Sequence, residues 1–227
     1  MTDAVSVVIP CHDEEPGIGA VVSRALAALG GRRAEVLVVD DGSTDRTVEE
    51  AGRAGARVLR LPVNQGKGAA LLAGARAARF PVLVFLDGDG QDDPAEIPAL
   101  LEELADGADL VIGSRFLGRL HCGAIHPLNR LANQGFTRMI AWLFGRPVTD
   151  SQAGFRAVPR DALLGLGCDA REYDIETEML LKAFKAGWRV TEVPVQRFAR
   201  VGSITDFRRV RHGLLILWTI LHERVRG

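Results

Sequence analysis

The stretch VLVFLDGDGQDDP occupies residues 82–94. Its first five residues, Val82 to Leu86, form an unbroken apolar run of the kind a fully buried strand needs. The run then ends in Asp87, Asp89, Asp92 and Asp93, with Gly88, Gly90 and Gln91 between them. Carboxylates crowded this closely repel one another, so a positive charge is expected to offset them. Asp93 followed by Pro94 has the form of a helix N-cap with proline in the first turn.

The same grammar repeats on both sides. VSVVIP (5–10), EVLVVDD (35–41), RVLRL (57–61) and the run that opens DLVIGSR (109–115) read as further short strands. Residues 18–29, closed by Gly30 and Gly31, the segment 42–55 and the Ala- and Leu-rich segment 67–80 read as the intervening helices. Strands apolar at nearly every position, alternating with helices, predict an α/β fold with a mostly parallel central sheet and helices on both faces. Beyond Arg115 the rhythm changes: loop at 121–127, helix at 128–144, strand in SQAGFRAV (151–158), helix at 175–185, strand at 188–195 and a last helix at 207–225. No repeat or linker interrupts the chain. The expected organisation is one domain over residues 1–206 followed by a basic amphipathic helix over 207–227.

With 227 residues and 47% apolar content the chain can bury a substantial core. Its net charge of −1 provides no global basic field, so no nucleic-acid partner is expected. The charge is uneven, however: residues 197–227 hold seven arginines against Asp206 and Glu223, a local +5 that leaves −6 on the rest. This points to an anionic partner near the C-terminus. Three cysteines, Cys11, Cys122 and Cys168, are too few and too odd for a disulfide framework. No leader is expected in MTDAV, and no apolar run reaches the length of a membrane span.

In parallel α/β sheets, ligands bind beyond the carboxyl ends of the strands. Asp40 and Asp41 end the second strand, and Asp87, Asp89 and Gln91 follow the fourth. Carboxylate and amide oxygens so placed are hard ligands suited to Mg2+ or Mn2+. Asp92 and Asp93 have capping as an alternative duty. NQGKGAA (64–70) lacks the spacing of a P-loop or dinucleotide loop, so Gly66 and Gly68 read as a loop-to-helix turn. Lys67 within it is a candidate donor contact. His121, Cys122 and His126 lack the second Cys/His pair of a zinc site.

Taken in order, VVIPCHDEE, VVDDGSTDRT, NQGKGAALLAGARAA, VFLDGDGQDDP, GSR and TDSQAGFRAV resemble the motifs of family-2 nucleotide-sugar glycosyltransferases, nearest the polyprenyl-phosphate (dolichol-phosphate) mannosyltransferase-like branch. The resemblance implies a GT-A fold and inverting transfer of a hexose from GDP- or UDP-sugar, with Mg2+ or Mn2+ held by Asp87, Asp89 and Gln91. It implies that Pro10, His12 and Glu14 help hold base and ribose, and that Asp40 and Asp41 belong to the nucleoside site. Arg115, Arg130 and Arg156 match positions associated with phosphate. RVGS (200–203) resembles a mobile loop over the donor, with Arg200 and Ser203 near the diphosphate. Some relatives carry C-terminal membrane spans, and none is expected within these residues.

A lipid phosphate acceptor is largely ionised near neutral pH and needs no strong base, whereas a hydroxyl acceptor does. Asp174 and Glu176 are the base candidates, with the polar start of a helix as their other reading. Phe207, Val210, Leu214, Leu217, Leu221 and Val225 make one apolar stripe with Trp218 beside it, flanked by Arg208, Arg209, Arg211, Arg224 and Arg226. The stripe predicts either an interfacial helix on an anionic membrane or packing on protein. The expected setting is cytoplasmic and peripheral. The rival functions are sugar transfer to a hydroxyl, or a donor-binding subunit beside a membrane-protein partner.

Overall fold

Strand β1 (Ala4–Cys11) turns Val5, Val7 and Ile9 to one face and Val8 to the other, all fully buried. Side chains alternate along an extended chain, so such a strand must be covered on both sides. The same holds for β2 (Arg33–Asp40), with Val36 and Val38 opposite Leu37 and Val39, and for β4 (Val82–Phe85). One layer is formed by α1 (Glu15–Leu29), α2 (Thr47–Arg53) and α4 (Ile97–Ala105). The other is formed by α3 (Lys67–Ala77), α5 (Pro127–Phe144), α6 (Arg160–Gly165), α7 (Ile175–Lys185) and α8 (Arg209–Val225). This computed structural model describes residues 4–200 and 209–226.

The seven-stranded sheet has the order β3-β2-β1-β4-β6-β5-β7, completed by β3 (Arg57–Arg60), β5 (Leu110–Leu120), β6 (Arg156–Pro159) and β7 (Val190–Arg197). All neighbours run parallel except β6, which is antiparallel to both β4 and β5. From β1 the chain winds outward to β2 and β3, then returns to add β4 on the other side of β1. The carboxyl ends of β1 and β4 therefore flank a topological switch point.

One expectation is corrected here. The strand expected at 151–158 is shorter, because residues 151–153 curl around Arg156 and give it the carbonyls of Ser151 and Ala153. The short helix α6 was not foreseen. The last helix shares the core through Ile216 and Ile220, while Val210, Leu214, Leu221 and Val225 of the predicted stripe, and Trp218 beside it, face solvent, each more than half exposed. Phe207 and Arg208 lie outside the described residues. Among those residues no helix is long and apolar enough to cross a membrane.

Candidate active site

A pocket of about 600 Å3 opens at the switch point, bounded by Pro10–His12 at the end of β1 and Asp87–Asp89 after β4. That size suits a small-molecule ligand. Asp13 adopts a left-handed conformation (φ 53°), and its carboxylate accepts from the Thr44 amide at 2.7 Å, which fixes the turn that brings Glu14 into the pocket. Aspartate tolerates this region better than most residues. The carboxylate of Asp41 accepts from the amides of Gln65 and Gly66, both at 2.8 Å, and so ties down the loop that leads into α3. At Gly68 a Cβ would lie 2.3 Å from the carbonyl oxygen of Ala170, so only glycine lets α3 start this close to the segment before α7.

Lys67, the first residue of α3, bridges two carboxylates: Asp87 at 2.8 Å and Glu176 of α7 at 2.7 Å. A Cβ at Gly154 would sit 3.0 Å from the Lys67 Nζ and 3.1 Å from each Asp87 oxygen, so this glycine makes room for the bridge. Burial works to raise the Asp87 pKa, but the charges of Lys67 and Arg197 outweigh it and hold the carboxyl at about 2. Burial likewise opposes the charge on Lys67, yet Asp87 and Glu176 hold its pKa above the ordinary value.

The positive charge anticipated from the acidic stretch is shared by Lys67 on Asp87, Arg24 on Asp93 and, at the end of β7, Arg197. Its guanidinium donates to Asp92 Oδ1 and Gln91 Oε1, each at 2.8 Å, and lies 3.8 Å from Asp89 Oδ2 and 4.0 Å from Asp87 Oδ2. Asp92 is thus a buried ion-pair partner, while Asp93 caps the turn at Pro94 through the Ala95 amide. The Gln91 amide nitrogen donates to the carbonyls of Ala124 and Phe198, which joins the loop before α5 to the end of β7. Arg200 pairs with Glu14 and approaches Asp89 Oδ2 to 3.7 Å. Burial pushes the Glu14 carboxyl up to about 7 against the pull of Arg200.

Pro10, His12, Glu14, Asp41, Lys67, Asp87, Asp89, Gln91, Arg115 and Arg200 all line this pocket. The His12 Nδ1 lies 3.0 Å from the Asp41 carbonyl oxygen. Three predicted residues do not line it. Asp40 is fully buried and faces the Ser43 amide and the Arg60 guanidinium, so it secures the β2 turn. Arg130 is exposed on α5, and Asn129 and Asn133 point to the pocket in its place, because helical geometry sends position 130 to a different face. Arg156 is fully buried and donates to the carbonyls of Ala153, Glu176 and Ser151, so its guanidinium is spent on backbone rather than phosphate. Ser203 lies outside the described residues. Arg115 keeps a pocket edge while binding Asp150 through two nitrogens, each at 2.7 Å. Of the two base candidates, Glu176 lines the pocket, whereas Asp174 accepts from Thr219 of α8. Arg197, Asn129, Asn133 and Gln152 were missed, since nothing local marks a residue that reaches a site only through strand order.

This pocket, with its acidic strand ends, coincides with a family pattern: the profile described as Glycosyl transferase family 2 matches residues 6–167. The chain belongs to glycosyl transferase family 2. It is a glycosyltransferase that draws on a nucleotide-sugar donor. Among family members it is 41% identical over 205 residues to an uncharacterized glycosyltransferase of Mycobacterium tuberculosis, covering 88% of each chain. It is 34% identical over 201 residues to the dolichyl-phosphate hexose transferase of Haloferax volcanii, covering 88% of this chain and 86% of that one. A crystal structure of glucosyl-3-phosphoglycerate synthase from Mycobacterium tuberculosis, in complex with Mn2+, uridine diphosphate and phosphoglyceric acid, superposes with a TM-score of 0.79 at 26% identity, over 97% of this chain and 78% of that one. The fold shared by this family-2 enzyme is GT-A, as its motifs implied.

Proposed function

We propose that this family-2 enzyme transfers a hexose, mannose or glucose, from GDP- or UDP-sugar to a polyprenyl or dolichyl phosphate, with inversion, while docked peripherally on the cytoplasmic membrane face. One observation carries the lipid acceptor. The pocket is bordered by α5 through Asn129 and Asn133 and by α8 through Arg211, His212 and Ile216. The outer faces of these two helices expose Leu128 and Leu131, and Leu214, Trp218 and Leu221. Helix α5 contains no acidic residue, and Glu223, the only one in α8, is buried and paired with Lys185. Apolar side chains beside arginines suit an anionic membrane surface.

The pocket chemistry agrees with an acceptor that arrives already ionised. Glu176 and Asp87 are engaged by Lys67, Asp41 by two amides, Glu14 by Arg200 and Glu172 by Arg211. Asp89 is less committed: Oδ1 accepts from the Gln91 amide, while the arginines nearest Oδ2 stand at 3.7 and 3.8 Å. Among the described residues no three His, Cys, Asp or Glu side chains form a metal cage. Mg2+ and Mn2+ do not require one when substrate phosphates and water complete the shell, so the Oδ2 atoms of Asp89 and Asp87 fit such an ion, whereas Gln91, expected as a third ligand, already gives its Oε1 to Arg197. When bound, it would supply Lewis-acid stabilisation of the departing diphosphate. Lys67 keeps Asp87 ionised, Gln91 and Arg197 fix the acidic turn, and Arg115, its charge balanced by Asp150, keeps N–H groups at the pocket edge for the incoming phosphate.

The test is partition of label. Radiolabelled GDP- and UDP-hexoses, incubated with Mn2+ and a short-chain polyprenyl phosphate in detergent, are expected to give organic-extractable product. Label found only in water-soluble product would reject this acceptor. The synthase likeness favours a second reading, transfer to a hydroxyl of a small phosphorylated acid. That reading predicts water-soluble product and a need for Glu176 as base.

A further inference from the structure

Arg200 lies beyond the end of β7, yet its guanidinium is tied across the pocket to Glu14, at the start of α1. Its Nη1 is 3.7 Å from Asp89 Oδ2, the same oxygen that Arg197 approaches to 3.8 Å. The two arginines are bound differently. Arg197 is committed to Asp92 and Gln91 by hydrogen bonds and is itself buried. Among the described residues, Arg200 has one such anchor, Glu14, and its buried Nε has no hydrogen-bond partner. Of the two cations beside Asp89 Oδ2, Arg200 is therefore the one whose removal leaves the acidic turn intact.

We propose that Glu14 holds Arg200 as a resident counter-charge for Asp89, so that a divalent cation and this guanidinium compete for one carboxylate oxygen. The proposal rests on the reading of Asp89 as the metal-holding carboxylate. A cation arriving at Asp89 meets a like charge at close range, and that repulsion weakens its binding. A nucleoside diphosphate changes the balance because its oxygens offer a guanidinium new acceptors. Arg200 then leaves Asp89 to the metal, and metal and nucleotide each strengthen the other's binding. Such coupling is reciprocal, typically about 5- to 150-fold. Arg200 is thus a positioning residue for metal entry, quite apart from any contact with the sugar.

The distinguishing measurement is Mn2+ affinity without nucleotide, from titration of the free-ion paramagnetic resonance signal, repeated with saturating UDP and GDP. Removing a like charge next to the ion is expected to tighten nucleotide-free Mn2+ binding by Arg200→Gln about tenfold, and to shrink the further gain on adding nucleotide. Arg200→Lys, which keeps the charge, is expected to return the nucleotide-free value toward that of the unmodified protein. An arginine that only binds diphosphate would weaken nucleotide binding in Arg200→Gln and leave nucleotide-free Mn2+ affinity unchanged; that result overturns the proposal. Asp89→Asn separates the two layers of the argument. If it binds Mn2+ with nucleotide as well as the unmodified protein does, the metal reading of Asp89 fails. If it loses Mn2+ while Arg200→Gln shows no gain, only the competition fails.

Discussion

Arg156 and Arg197 are both buried, but they live in opposite electrostatic surroundings. Arg156, on the antiparallel strand β6, faces three carbonyl oxygens at 2.7 to 2.8 Å. Burial lowers its pKa to about 10. Arg197, at the end of β7, is also opposed by burial, but Asp92, Asp89 and Asp87 outweigh the penalty and raise its pKa. Carbonyl dipoles satisfy a guanidinium without balancing its charge; carboxylates do both. A cation among carbonyls braces the backbone. A cation among carboxylates at a pocket's rim sets a charge balance that a ligand can shift. Sequence motifs alone assign Arg156 to phosphate and overlook Arg197. The surroundings reverse that assignment: Arg156 holds the first turn of α7 by its Glu176 carbonyl, and Glu176 in turn holds Lys67.

The largest expected effect tests the rim. Asp89→Ala is expected to cut turnover about a thousandfold, in the range for loss of a group that stabilises developing charge, while the melting temperature stays within a few degrees. Activity that persists with unchanged metal dependence would remove the rim's claim to chemistry. Arg156→Met probes the other region and is expected to cost about 3 kcal/mol or more in urea unfolding, because three buried carbonyls lose their donor. A stable variant with a raised acceptor KM would return Arg156 to the phosphate and erase the contrast.

Lys67→Met sharpens the comparison through pH. A carboxyl held at about 2 in the folded state contributes stability above its unfolded value near 4 and loses it as pH falls toward 2. The variant is therefore expected to be less stable than the unmodified protein by about 2 kcal/mol at pH 7. The gap should close as pH falls through 4 toward 2, followed by tryptophan fluorescence in urea. A gap independent of pH would mean that Lys67 acts by packing. The smallest effect lies farthest from both arginines. Leu214→Ser, on the exposed face of α8, should weaken binding to anionic vesicles about tenfold, from the loss of one leucine's apolar burial, without altering the melting temperature. Unchanged vesicle binding would leave that face without a membrane role.

The first 90 residues were largely legible because each strand there is apolar at successive positions and ends in turn-forming or acidic residues. Asp87, Asp89 and Asp41 were legible for the same reason: a parallel strand's carboxyl end is where polar side chains collect. Beyond Arg115 legibility fell. The segment 151–158 has the composition of a strand, yet half of it is consumed in satisfying Arg156. On α8 the apolar stripe was read correctly as a stripe, but its orientation was not readable. Ile216 and Ile220 bury the adjacent face, with Thr219 bonded to Asp174 at 2.9 Å and Lys185 to Glu223 at 2.8 Å.

By itself the sequence determined the α/β alternation, the family, and which carboxylates gather at the sheet edge, because strand burial and turn chemistry are local properties of consecutive residues. Only the tertiary structure decided which cations meet them. Arg197 lies 105 residues from Asp92, and Arg200 186 residues from Glu14. Contacts of that span exist only once strand order has brought β7 beside β5, with Gln91 tied to the end of β7, and no local pattern encodes the pairing of charges that far apart.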